Sequence, residues 1–145
     1  MQLSSALEFP ADPADALLAV RERFVEPKFL HQTRVQTLDG VFEIDDLPAA
    51  LAAGPGLRAH PWRVHYHVPV HAETLFGGAV RTTRGEMLRA LRHALGKGLC
   101  RHFEVETYTW SVLPEEHRPV DDEGLAQAIG REMEFVRKEV PGFFE

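Results

Sequence analysis

Two clusters in this 145-residue chain have side chains able to do chemistry. His65, His67 and His71 fall within seven positions, and Glu104 and Glu106 stand two residues apart in the stretch 101–114. Residues two apart share one face of an extended strand. His65 and His67 would therefore share a face, as would His102, Glu104, Glu106 and Tyr108. His31, with Phe29 and Thr33, falls on one side of a third alternating stretch. Imidazole plus carboxylate is a donor set suited to Mn, Zn or Fe, and a metal so held polarises a hydroxyl or carbonyl. Glu104 and His67 are the candidates to move a proton, with His31, His65 and Glu106 as metal ligands. The same spacing equally describes a hydrogen-bonded polar layer or a solvated face, since carboxylates are costly to bury unless paired or bonded.

These residues need strands to carry them. Alternation predicts strands over about 2–7, 28–35, 62–70 and 101–110, with Pro69 near the end of the third. Between them lie helix signals. Asp12-Pro13 opens one with Leu17, Val20 and Phe24 at helical spacing, and Pro27 ends it. Asp45 or Asp46 caps another that stops near Gly54, after a loop through Asp39-Gly40. Thr83 to Glu86 has capping-box spacing ahead of Met87, Leu88, Leu91 and Leu95. A last helix from Asp121 or Asp122 to Pro141 would bury Leu125, Ile129, Met133 and Val136. Gly77-Gly78 reads as a turn. Four strands alternating with four helices predict an α/β fold of four parallel β/α units. One apolar and one polar face per strand suits a TIM (β/α)8 barrel, of which four units make half.

Composition bounds the remaining classes. The chain is 44% hydrophobic and 26% charged, which suits a single globular domain over 1–145. A net charge of -6 with scattered basic residues argues against a nucleic-acid partner. No apolar run approaches the ~20 residues of a membrane span. One cysteine, Cys100, and an opening Met-Gln-Leu-Ser-Ser without signal-peptide character make the cytoplasm the expected compartment.

Gln2-Leu3-Ser4-Ser5-Ala6-Leu7, Phe29-Leu30-His31-Gln32, Val64-His65-Tyr66-His67-Val68-Pro69-Val70 and His102-Phe103-Glu104-Val105-Glu106-Thr107-Tyr108-Thr109-Trp110 occur in that order, with Leu113-Pro114 after them. Together they resemble the C-terminal half of the EboE family, metabolite-traffic proteins with a xylose-isomerase-like TIM barrel. The resemblance implies barrel strands five to eight and a small sugar-like or isoprenoid-like metabolite as ligand. It implies either metal-assisted isomerisation or epimerisation, or non-catalytic binding and trafficking. In the wider superfamily a divalent metal is held by Glu, Asp, His and Glu. His31 and Glu106 are similar to the last two of these, whereas Ser4 and Ser5 stand where the Asp is expected. Ser5, Tyr108 and Trp110 are the expected substrate contacts. Half a barrel would leave the strands at 2–7 and 101–110 as bare edges, so a homodimer, or union with a missing N-terminal half-barrel, is expected.

Overall fold

A computed structural model describes residues 1–141. The chain packs as two compact units: the first takes residues 1–5, 67–73 and those from 82 onward, the second residues 6–66 and 74–81. Along the chain run β1 (Gln2–Leu3), β2 (Ser5–Phe9), α1 (Leu18–Glu22), β3 (Thr33–Thr37), β4 (Gly40–Ile44), α2 (Leu47–Ala52), α3 (Pro55–Arg58) and β5 (Trp62–Val68). After these come β6 (Thr74–Leu75), β7 (Val80–Thr82), α4 (Arg84–Gly96), β8 (Glu104–Val105) and α5 (Asp122–Glu139). No helix among the described residues is long and apolar enough to cross a membrane.

The four parallel β/α units of a half TIM barrel are not what this sequence forms. Six strands make one sheet in the order β4-β3-β5-β2-β7-β6, in which β3 runs antiparallel to both β4 and β5, and β6 to β7. The reason lies in the connections. Thr37 pairs with Gly40, so only Leu38 and Asp39 link β3 to β4, and a parallel pair needs a crossover of a dozen residues or more. Gly40 takes φ +134° there, and Thr37 Oγ1 donates to its carbonyl at 3.0 Å. The stretch expected to be a loop is therefore a hairpin. A second hairpin joins β6 to β7 through a 3-10 turn at Phe76–Gly78, where Gly77 and Gly78 both have positive φ. The segment ahead of β3 is not strand either, because Glu26 accepts from the backbone N–H groups of Lys28 and Phe29 and bends the chain.

In the second unit the alternation expected of the Trp62 strand holds. Trp62, Val64 and Tyr66 are buried, as are Thr33 and Val35 beside them, while Arg63 and His65 lie on the exposed face. Phe24 meets Phe9, Tyr66 and Phe76 edge-on at 5.2–6.1 Å between ring centres. Edge-to-face pairs of this kind stabilise beyond their area by roughly 0.5–1.5 kcal/mol each. Asp12 accepts from the N–H groups of Ala16 and Leu17 at 2.8 Å, which shapes the turn ahead of α1 rather than capping it as expected: the N-cap is Leu17, and no side chain caps this five-residue helix. Asp46 caps α2.

The first unit is built from the parallel pair β1/β8 with α4 and α5. Gln2 pairs with Glu104 and Leu3 with Val105, so the two segments expected at opposite ends of a half-barrel lie side by side. Leu3, Val70, Met87, Leu88, Leu91, Val136 and Val140 form the apolar cluster. Burying each is worth roughly 1.5–3 kcal/mol for the larger side chains. Thr83 makes no side-chain cap to α4, so the capping box is absent. In α5 the buried line is Ala128, Glu132 and Val136, whereas Ile129 and Met133 are 44% and 47% exposed. The helix is turned from its expected face, and a carboxylate goes inward. Strand 101–110 is strand only over Glu104–Val105, after which the chain enters a 3-10 helix at Tyr108–Val112.

Candidate functional site

Among the described residues, His67 and the segment after β8 bring together three of the expected residues, His67, Glu106 and Tyr108. The His67 side chain is 9% exposed, and its Nδ1 lies 2.8 Å from the backbone carbonyl of Glu106 and 3.7 Å from that residue's Oε2. A carbonyl only accepts, so Nδ1 carries the proton, and in the neutral ring the basic lone pair is on Nε2. The Tyr108 ring stands against the imidazole at 4.4 Å, tilted by 50°. Glu106 and Tyr108 remain partly exposed at 32% and 42%. A partly exposed carboxylate and aromatic ring thus stand beside a buried imidazole.

The local sequence explains the grouping. Thr107 and Thr109 are buried, and they alternate with the exposed pair that meets His67. The Thr109 hydroxyl donates to the carbonyl of His67 itself, while that of Thr107 donates to Glu132 Oε1 at 2.6 Å. Glu132 Oε1 also accepts from the N–H of Val70 at 2.9 Å. One carboxylate on α5 therefore fixes both the segment that follows His67 and the segment that carries Glu106 and Tyr108. Burial pushes the Glu132 carboxyl above its ordinary range, and its two hydrogen bonds pull it part of the way back. Nearby, burial and then the positive charges of Arg131 and Arg84 hold the His71 imidazole below its usual value. Glu132 escaped the sequence reading because a glutamate in the middle of a charged helix looks solvated. The signal available was its spacing of four from Ala128 and Val136.

The other expected residues are placed differently. His31 is 1% exposed on the inward face of the second unit, stacked on Tyr66 at 4.3 Å. Its Nδ1 meets the carbonyl of His65 at 3.0 Å and its Nε2 meets Glu26 Oε1 at 2.8 Å. The ring is thus held at both nitrogens by protein oxygens. His65 belongs to the outward face of the same sheet, because its position is one of odd offset from Tyr66 and Val64. Glu104 is exposed on β8, in register with Gln2. Ser5 belongs to the first unit and is 1% exposed, its hydroxyl buried without a partner among the described residues. Trp110 lines a cavity of about 500 Å³ in the first unit.

A divalent metal does not fit the expected donors in this arrangement. Both nitrogens of His31 are already committed to hydrogen bonds, and His31 is buried against Tyr66 whereas His65 is exposed on the other face of β5. Among the described residues, no three His, Cys, Asp or Glu side chains stand together as a metal requires. No family model, curated protein or solved structure matches the chain.

Proposed function

We propose that the first unit binds a small polar metabolite at His67 and moves a proton on it, in the manner of an aldose–ketose isomerase or epimerase. The observation that carries this reading is the fixed His67 tautomer, with Nδ1 donating to the Glu106 carbonyl at 2.8 Å beside a carboxylate and a phenol. Nε2 then takes a proton from the hydroxyl-bearing carbon next to a carbonyl, and the C–H electron pair forms the double bond as the carbonyl π pair moves onto its oxygen, which takes a proton. The proton is returned to the former carbonyl carbon as the other hydroxyl gives up its proton and becomes the new carbonyl. The likeness of the 102–110 stretch to the EboE metabolite-traffic family supports a sugar-like or isoprenoid-like ligand. A non-catalytic binding protein is the second reading. It is favoured by the exposure of Glu106 and Tyr108, since an enediol intermediate is best protected where water is excluded.

Deuterium wash-in separates the two. The chain is incubated in D2O with aldoses, ketoses and their phosphates, and exchange at the carbon next to the carbonyl is read by mass spectrometry. Exchange that is lost in His67→Gln supports proton transfer. Saturable binding without exchange, weakened in His67→Gln, supports the carrier. Neither exchange nor binding overturns both.

A further inference from the structure

The cavity beside Trp110 lies wholly within the first unit and has a volume of about 500 Å³, within the roughly 300–1,000 Å³ of small-molecule sites. Trp110 forms an aromatic wall that is neither fully buried nor fully exposed. Around it stand charges of both signs: Arg118 and Arg131 against Glu116, Asp121 and Glu123. We infer that this cavity is a binding site for an uncharged, polyhydroxylated ring, a sugar or cyclic polyol, stacked on Trp110.

The chemistry of the wall selects that class. A phosphate would face three carboxylates, and an organic cation two guanidinium groups. A hydroxyl both donates and accepts, so a polyol is satisfied by both sets at once. The faces of a sugar ring are lined with C–H groups and suit an indole, while its rim is polar. Several wall groups are held in place by the protein before any ligand arrives. Arg118 donates from Nε and Nη2 to the carbonyl of Leu113 at 3.1 and 2.9 Å, which leaves Nη1 for a ligand. The Gln127 amide donates to Glu123 Oε1 at 3.3 Å, which leaves the amide oxygen as an acceptor. Asp121 Oδ1 is taken by the N–H of Gly124 at 2.7 Å, so it is a structural cap rather than a ligand contact. Arg131 makes no hydrogen bond or ion pair among the described residues, and its donors are open to a hydroxyl oxygen. Preorganised donors of this kind reduce the ordering cost of binding. The inference does not rest on proton transfer at His67.

The chain has two tryptophans, which makes the test direct. Trp62 is fully buried in the second unit, its indole N–H donating to the carbonyl of Leu57 at 2.8 Å, so it serves as the internal control. Indole N–H signals are followed by 15N NMR as methyl glucoside, maltose and myo-inositol are added to millimolar concentration, with glucose 6-phosphate and choline as charged probes. The expected result is a saturable shift of the Trp110 signal with at least one neutral polyol and a still Trp62 signal. Calorimetry should then show binding weakened about tenfold or more in both Trp110→Ala and Arg131→Ala. Arg131 is exposed, so its variant keeps the test valid if Trp110→Ala fails to fold. A Trp110 signal unmoved by every neutral polyol, or moved only by the phosphate or by choline, overturns the inference.

Discussion

Replacing Glu132 tests the architecture behind His67. Glu132→Gln keeps an oxygen to accept from Val70 N–H and the Thr107 hydroxyl while it removes the charge and turns the other oxygen into an NH2, whereas Glu132→Leu removes the acceptor as well. The Val70 N–H is then left buried without a partner, at a cost of about 1–3 kcal/mol, and the lost Thr107 bond adds about 0.5–1.5 kcal/mol. The leucine variant should thus lie about 2–4 kcal/mol below the glutamine variant. With an unfolding entropy of roughly 2.1 cal/mol/K per residue, this corresponds to a Tm gap of about 7–13 °C. Charge acts separately. Because burial raises the Glu132 carboxyl in the folded chain, the group favours folding below its ordinary value of 4.5 and loses that contribution as pH rises through the folded-state value. Glu132→Gln should therefore gain on the wild type as pH is raised from about 4 to about 7.5. Thermal unfolding followed by circular dichroism at both pH values measures the two effects. Equal Tm values for the leucine and glutamine variants, or a glutamine advantage that shrinks with rising pH, would refute the reasoning.

Two further perturbations address the second unit. His31→Ala removes two hydrogen bonds and the stack on Tyr66, and should cost about 3–4 kcal/mol in urea unfolding while leaving the metal content by mass spectrometry unchanged; metal bound by the wild type and lost in the variant would restore His31 as a ligand. Gly40→Ala places a Cβ in open space but at φ +134°, so its cost of about 1–3 kcal/mol should be purely conformational. A variant as stable as the wild type would show that the β3/β4 turn does not need that backbone angle.

Local signals in the sequence were reliable where one residue and its near neighbours decide the outcome. Asp46 caps α2 where its type and position place it, and Met87, Leu88 and Leu91 are buried along α4. Along β5, Trp62, Val64 and Tyr66 are buried while Arg63 and His65 are exposed, as strand alternation requires. The Asp39-Gly40 dipeptide is a hairpin signal as well as a loop signal, and the reversal it makes sets β3 and β4 antiparallel where alternation with helices implies parallel strands. Strand direction is a property of pairs, so alternation along one strand is silent about it. The site follows the same division. Sequence placed His67, Glu106 and Tyr108 on faces of strands, but it also placed His31 and His65 among them, because period-two spacing names a face without saying whether that face looks to the core or to water. Tertiary packing decided that His31 is held by Glu26 and Tyr66, that His65 faces outward, and that Glu132 goes inward to hold the segments around His67. Each of those outcomes depends on partners 5 to 62 positions away, and the long-range ones are set by the packing of whole elements rather than by any local pattern.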